Sequence, residues 1–190
     1  MGTKGEGNRQ RIIEAADRLF YQRGYNQTSF QDISDATGIP RGNFYYYFKT
    51  KDEILDAVVQ ARSAHFVDML KQHEAATADP RERLLKLADM LDVNQDMVVD
   101  AGCPLGSLSS ELAKEGTALQ HKSRQVFDVV RQWAAAQFAA LGRSDADELA
   151  MELLARIQGV TVIACAFKDA AFLQRSLKQI KAWLVEVSGG

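Results

Sequence analysis

The sequence predicts an all-α protein, and three observations carry that prediction. Apolar residues recur at helical spacings through most of the 190-residue chain. No alternating run is long enough to suggest a sheet, and only three prolines interrupt the helical pattern. The breaks between periodic stretches are marked by Gly, Pro, Asp or Ser, the residues that suit turns and helix ends.

The first residues, MGTKGEGNRQR, are polar and glycine-rich and read as a disordered arm, lacking the apolar core of a signal peptide. A first helix then carries Ile12, Ile13, Ala16, Leu19 and Phe20 and ends at Gly24. Thr28, with Gln31 three residues on, forms a capping pair that starts a short helix at about Ser29. Phe30, Ile33 and Ala36 give this helix its inward face, and Gly38 stands where a left-handed cap would end it. Pro40, whose missing amide hydrogen costs nothing in a first turn, opens a second short helix with Arg41, Gly42, Asn43, Phe44, Tyr45, Tyr46 and Tyr47. Thr50 and Glu53 form a further capping box and begin a long helix. Two short helices around a tight turn, followed at once by another helix, make a helix-turn-helix.

The stretch from Ile12 to Glu53 resembles the N-terminal DNA-binding domain of the TetR family of bacterial transcriptional regulators. The resemblance rests on the first helix ending at Gly24, on Tyr25, on the Thr28 cap and the Gly38 turn. It continues through the aromatic run ending in Phe48 and the Lys51-Asp52-Glu53 helix start. Pro40 is a departure, standing where the family usually has a serine or similar cap. The resemblance implies a three-helix helix-turn-helix domain over residues 1–50, and a helical ligand-binding and dimerisation domain over residues 51–190.

The chemistry of the second short helix points the same way. A helix entering the major groove needs small or hydrogen-bonding residues on its leading turn, with donors for phosphate around it. Arg41, Gly42 and Asn43 occupy that turn. Asn pairs bidentately with adenine and Arg with guanine, and Gly42 lets the backbone approach closely. Tyr45 and Tyr46 offer hydroxyls to phosphates or base edges, while Thr28, Lys49 and Lys51 are candidate phosphate contacts. Phe44 and Phe48, four apart, are assigned to the core together with one of the three tyrosines.

Charge is distributed to match. Residues 1–51 hold eight Lys and Arg against five acids, a net +3, so the remainder of this chain of net charge −2 carries −5. A basic end attracts a polyanion and an acidic body repels it, favouring one docking orientation. Cys103 and Cys165 with three histidines make neither a disulfide framework nor a metal spacing, so no metal and no cofactor is expected. The longest apolar run, Gly159 to Phe167, falls short of the roughly 20 residues of a membrane span. The chain therefore reads as cytoplasmic.

Helices are expected at about 51–75, 81–99, 105–114, 117–141, 145–168 and 170–187, with linkers at Thr77 to Pro80, Asp100 to Pro104, Gly116, Gly142 to Ser144 and around Asp169. The last two carry apolar seams: Leu149, Leu153, Ile157, Val160, Ala164 and Phe167, then Leu173, Leu177, Ile180, Leu184 and Val187. Met151, Leu154, Val162 and Ile163 lie off the first seam, so that helix is covered on more than one side. A symmetric four-helix bundle between two copies supplies the cover, and the resemblance implies the same homodimer. Within it, Leu153, Ile157, Val160, Ala164, Leu177, Ile180 and Leu184 are assigned to the interface.

Phe66, Met69, Leu91, Cys103, His121, Phe127 and Trp133 are candidates to line a ligand cavity, along with Leu70, Met97, Phe138, His65 and Gln137. Most such residues at helical spacing are core. In Asp100-Ala101-Gly102-Cys103-Pro104-Leu105-Gly106, Pro104 at a first helical position sets Cys103 at the N-cap, where the helix dipole favours a thiolate. Cys103 thus has two readings, a sensor of electrophiles or oxidants and a small residue packed beneath a helix start, and the nearby Asp100 opposes the first. There is no phosphate-binding glycine loop, zinc-helix motif or catalytic triad to make an enzyme. The leading expectation is a homodimeric repressor, released from a near-palindromic double-stranded DNA operator by an unknown small-molecule inducer. An architectural or protein-interaction module is the alternative of another class.

Overall fold

The computed structural model describes residues 3–114 and 117–189, and the Gly116 linker lies outside them. Ten helices and no strand are found among the described residues: α1 Thr3–Arg23, α2 Phe30–Thr37, α3 Arg41–Tyr47, α4 Lys51–Ala76, α5 Pro80–Val93, α6 Gln95–Ala101, α7 Pro104–Leu112, α8 Thr117–Ala140, α9 Ala146–Phe167 and α10 Ala170–Val187. The all-α prediction holds. Two of its details do not. The first residues, expected as a disordered arm, enter α1 from Thr3. The helix expected over 81–99 is two helices that break at Asn94. There the Asn94 amide donates to Met90 O at 2.7 Å, so the side chain competes for a carbonyl that a continuous helix would use.

The chain divides into two compact units, one of residues 1–65 and 107–126 and the other of residues 66–106 and 127–190. The division falls inside α4, α7 and α8, whereas the sequence reading placed one boundary at residue 50.

The first unit is the helix-turn-helix with its supports. Its buried core comprises Ile12, Ile13, Ala16 and Phe20 of α1, Ile33 of α2, Phe44 and Phe48 around α3, and Ile54, Leu55 and Val58 of α4. Two details of the sequence reading change here. Ala36 is exposed, and the buried face of α2 is Ile33, Ser34 and Thr37. The cap of α2 is Ser29, whose hydroxyl accepts from the Asp32 amide while the Asp32 carboxylate accepts from the Ser29 amide. Thr28 and Gln31 have the same spacing one residue earlier, but the Thr28 hydroxyl turns inward and donates to Gly24 O at 2.7 Å. Gly38 does form the left-handed cap, at φ 64°. Arg62, 8% exposed, reaches the Asp17 carboxylate at 2.5 Å and ties α4 to α1.

The second unit packs α10 against α5 and α9, and α6 against α9. Its core joins Leu84 and Leu87 of α5, Val98 of α6, Phe138 of α8, Leu149, Leu153 and Ile157 of α9, and Leu173, Leu177, Ile180 and Leu184 of α10. By length and composition α9 could cross a membrane, with a mean hydropathy of 1.5, which the count of uninterrupted apolar residues had excluded. Its Leu149, Ala150, Leu153, Leu154, Ile157, Thr161 and Ala164 are buried within the unit, on one face of the helix.

Candidate nucleic-acid interface

Two buried rings seat α3. Phe44 is fully buried and Phe48 is 3% exposed. Phe30 of α2 meets the Phe44 ring edge-on at 5.8 Å and stacks on Tyr45 at 5.8 Å, and the Arg9 guanidinium lies over Phe48 at 5.1 Å. With Phe44 and Phe48 pointing inward, helical geometry turns Gly42, Asn43, Tyr45 and Tyr46 outward, and all four are exposed. Tyr46 is the most exposed aromatic at 79%. Tyr47 is the tyrosine that goes partly inside, accepting from the Asn8 amide at 3.3 Å and meeting Tyr46 edge-on.

The start of α3 differs slightly from expectation. Pro40 is the N-cap itself, with φ −54° and ψ 137°, and its carbonyl accepts from the Asn43 and Phe44 amides. No side chain caps this end, so the first amides of α3 lack the partner that a serine or aspartate would supply. The backbone of Arg41 begins the helix, while its side chain lies outside the described residues. At Gly42 nothing lies within 4 Å of where a Cβ would stand, so the surface there is open to a close partner.

The three flanking candidates separate. Lys49 is exposed, its ammonium group donating to Tyr45 O. Lys51 is half-buried. Its Nζ donates to Tyr25 O at 3.0 Å and Thr28 O at 3.2 Å and lies 4.1 Å from the centre of the Tyr25 ring. Thr28 is 1% exposed with its hydroxyl committed inside, so it holds a turn and leaves the set of phosphate contacts. The expected box at α4 is half made. Thr50 Oγ1 accepts from the Glu53 amide, but the Glu53 carboxylate reaches past Thr50 to the Lys49 amide.

Residues that the sequence reading missed hold the same unit together. Arg11 donates to Thr37 O at 2.6 Å and closes the end of α2. The Ser29 hydroxyl and amide, helped by Arg23, hold the Asp32 carboxyl below the usual carboxylate range. Glu111 of α7 accepts from the Tyr25 amide at 2.8 Å and the Asn26 amide at 2.7 Å. No local signal in the sequence marks a partner 86 residues away.

The candidate cavity residues are less concentrated. His121 is exposed and falls in the first unit, whereas Phe66, Met69, Leu91, Cys103 and Trp133 belong to the second and Phe127 begins its last segment. What does assemble is a polar cluster around Trp133, whose indole donates to Glu74 at 3.0 Å, with Arg83 donating to the buried Gln137 at 3.1 Å. His73 meets the Trp133 ring edge-on at 6.3 Å, and its Nδ1 is buried with no hydrogen-bond partner among the described residues. Burial first, then Lys86, lowers its pKa from 6.5 against the opposing pull of Asp89. The unfolded chain therefore takes up this proton at a higher pH than the folded one, and stability should rise with pH up to about 6.5 and level off above it. Thermal denaturation between about pH 5 and 7.5 should show that slope, and His73→Leu should flatten it.

Cys103 is buried at 7% exposure, at the N-cap of α7, and its sulfur accepts from the Gln158 amide at 3.3 Å. That is the arrangement of a packed residue. Cys165 donates to Asp100 O at 3.7 Å. Among the described residues no group of His, Cys, Asp and Glu could hold a metal ion.

The seam residues Leu153, Ile157, Ala164, Leu177, Ile180 and Leu184 are all buried within their own unit, and Val160 is half-buried. The assignment of the six buried residues to a contact between copies is thereby corrected. On these two helices the large apolar side chains left outside are Met151, Val162, Ile163 and Phe167 of α9 and Val185 of α10. The spacing rule found the apolar seams but could not tell which side of α9 its own α10 would cover.

Residues 12–58 match the family of bacterial regulatory proteins called the tetR family, and residues 80–179 match the C-terminal domain described as transcriptional regulator LmrA/YxaF-like. An uncharacterized HTH-type transcriptional regulator in the lacX 3' region of Lactococcus lactis is 29% identical, the match covering 91% of each chain. The HTH-type transcriptional regulator LmrA of Bacillus subtilis is 24% identical over 86% of this chain and 89% of its own. Among solved structures, a TetR transcriptional regulator from Chloroflexus aurantiacus superposes with a TM-score of 0.85, covering 97% of both chains at 22% identity. The reduced form of Escherichia coli NemR does so at 0.82, covering 93% of this chain and 96% of its own at 18% identity, which is a likeness of fold alone.

Proposed function

The chain belongs to the TetR family and is a DNA-binding transcriptional regulator, and from that premise we propose that it works in the cytoplasm as a homodimeric repressor. It reads a near-palindromic operator with α3 and leaves it when a small-molecule inducer binds the region that follows the DNA-binding domain. The observation that carries the DNA reading is the outward row of Gly42, Asn43, Tyr45 and Tyr46 over two inward phenylalanines. A row of small, amide and phenolic groups on one face of a helix suits base edges and phosphates.

The dimer reading rests on a corrected surface. Met151, Ala155, Gly159, Val162 and Ala166 follow one another at spacings of four, four, three and four along α9, and all are exposed. Nothing lies within 4 Å of a Cβ placed on Gly159, so this helix could be approached closely there. Ala182 and Val185 extend an exposed apolar strip on α10. Two copies joined through these faces would present two α3 helices about one DNA turn apart, which two-fold symmetry matches to a palindrome.

Selection from random duplexes supplies the cognate site. On it, Asn43→Ala should lose about 1–3 kcal/mol, with little change on random DNA. Lys49→Ala should weaken both and lower the salt dependence by about one phosphate contact. Equal losses on both DNAs for Asn43→Ala would remove that residue from base reading.

A further inference from the structure

The turn between α1 and α2 is held from two directions by side chains that arrive from far along the sequence. Lys51, at the start of α4, takes the carbonyls of Tyr25 and Thr28. Glu111, on the last turn of α7, takes the amides of Tyr25 and Asn26, one with each carboxylate oxygen. Hydrogen bonds to an ionised acceptor are stronger than those between neutral groups, and two adjacent amides converging on one carboxylate fix direction as well as distance. The turn is shaped to admit the carboxylate. Gly24 has φ 90°, and a Cβ there would lie 2.9 Å from one Glu111 oxygen, so a side chain at residue 24 would push the carboxylate away.

We propose that Glu111 is a positioning residue for DNA reading, whose carboxylate sets the α1–α2 turn and, through it, the seat of α3. This rests on the reading of α3 as the operator-binding helix. The turn matters to α3 because α2, which follows it, carries the Phe30 ring that packs on both Phe44 and Tyr45.

The test uses the full chain and the Glu111→Gln variant, checked for unchanged helix content. Glutamine keeps the length but offers one acceptor oxygen for two amides. Hydrogen exchange at the Tyr25 and Asn26 amides, read without DNA, should speed up about tenfold in Glu111→Gln, as expected for loss of a charge-assisted bond. Affinity for the selected duplex should fall by about the same factor. Unchanged exchange in Glu111→Gln overturns the clamp. Faster exchange with unchanged duplex affinity makes Glu111 a local brace and overturns its positioning role. A wild-type chain that prefers no duplex is a different failure, because it removes the α3 reading itself whatever the exchange rates show.

Discussion

Val162→Asp should turn a dimer into a monomer and lower affinity for the selected duplex by about a hundredfold or more. Val162 is 56% exposed on α9 and belongs to the outward strip that runs from Met151 to Ala166. In a single copy the new carboxylate would stand in water and cost little. Between two copies it would be stripped of water with no cation on the same strip to pair with, a penalty of several kcal/mol on each side of the two-fold axis. The protomer should therefore keep its helix content while sedimentation shows the smaller species. DNA binding should fall steeply, because the second head no longer binds at the high effective concentration the first one gives it. Retention of the dimer would send the interface elsewhere, and loss of the dimer with full affinity would remove the paired-head reading.

That prediction falls on residues the spacing argument had set aside, and the reason shows what a sequence can reveal. Apolar periodicity found α9 and α10 and their seams, because burial of any kind demands the same pattern. It is silent on whether the cover comes from the same chain. Leu153, Ile157, Leu177 and Ile180 are covered by their own unit, and Val162 and Met151, which looked supplementary, are the ones left exposed. The helix-turn-helix was more legible, since its signals are local: the Gly38 cap, Phe44 and Phe48 four apart, and the tyrosines that helical geometry must turn outward. Even there, two overlapping capping patterns, Thr28 with Gln31 and Ser29 with Asp32, fit the same rule. The choice was made by a contact between Thr28 and Gly24. Glu111 could not be found at all, because the turn it grips is 86 residues away.

Phe44→Ala should cost about 3–5 kcal/mol of stability and abolish specific DNA binding without altering the dimer. The ring is fully buried, meets Phe30 edge-on, and stands in the middle of α3, a helix of seven residues with no side-chain cap at its start. So short a helix has little stability of its own and depends on the face it buries. Removing the ring leaves a cavity beneath the turn that carries Asn43. It also takes away the partner that orients Phe30, and with it the stack that holds Tyr45. The loss should be confined to one unit, because Phe44 belongs to the unit of residues 1–65 and 107–126, and Met151, Val162 and Val185 belong to the other. Denaturation followed by a probe in the first unit should then show its transition moved to lower denaturant. Phe44→Leu, which keeps most of the volume, should recover much of the stability. If it recovers the stability but not the duplex affinity, the ring's contacts with Phe30 set the angle at which α3 meets DNA. If it recovers both, the requirement at this position is for volume alone.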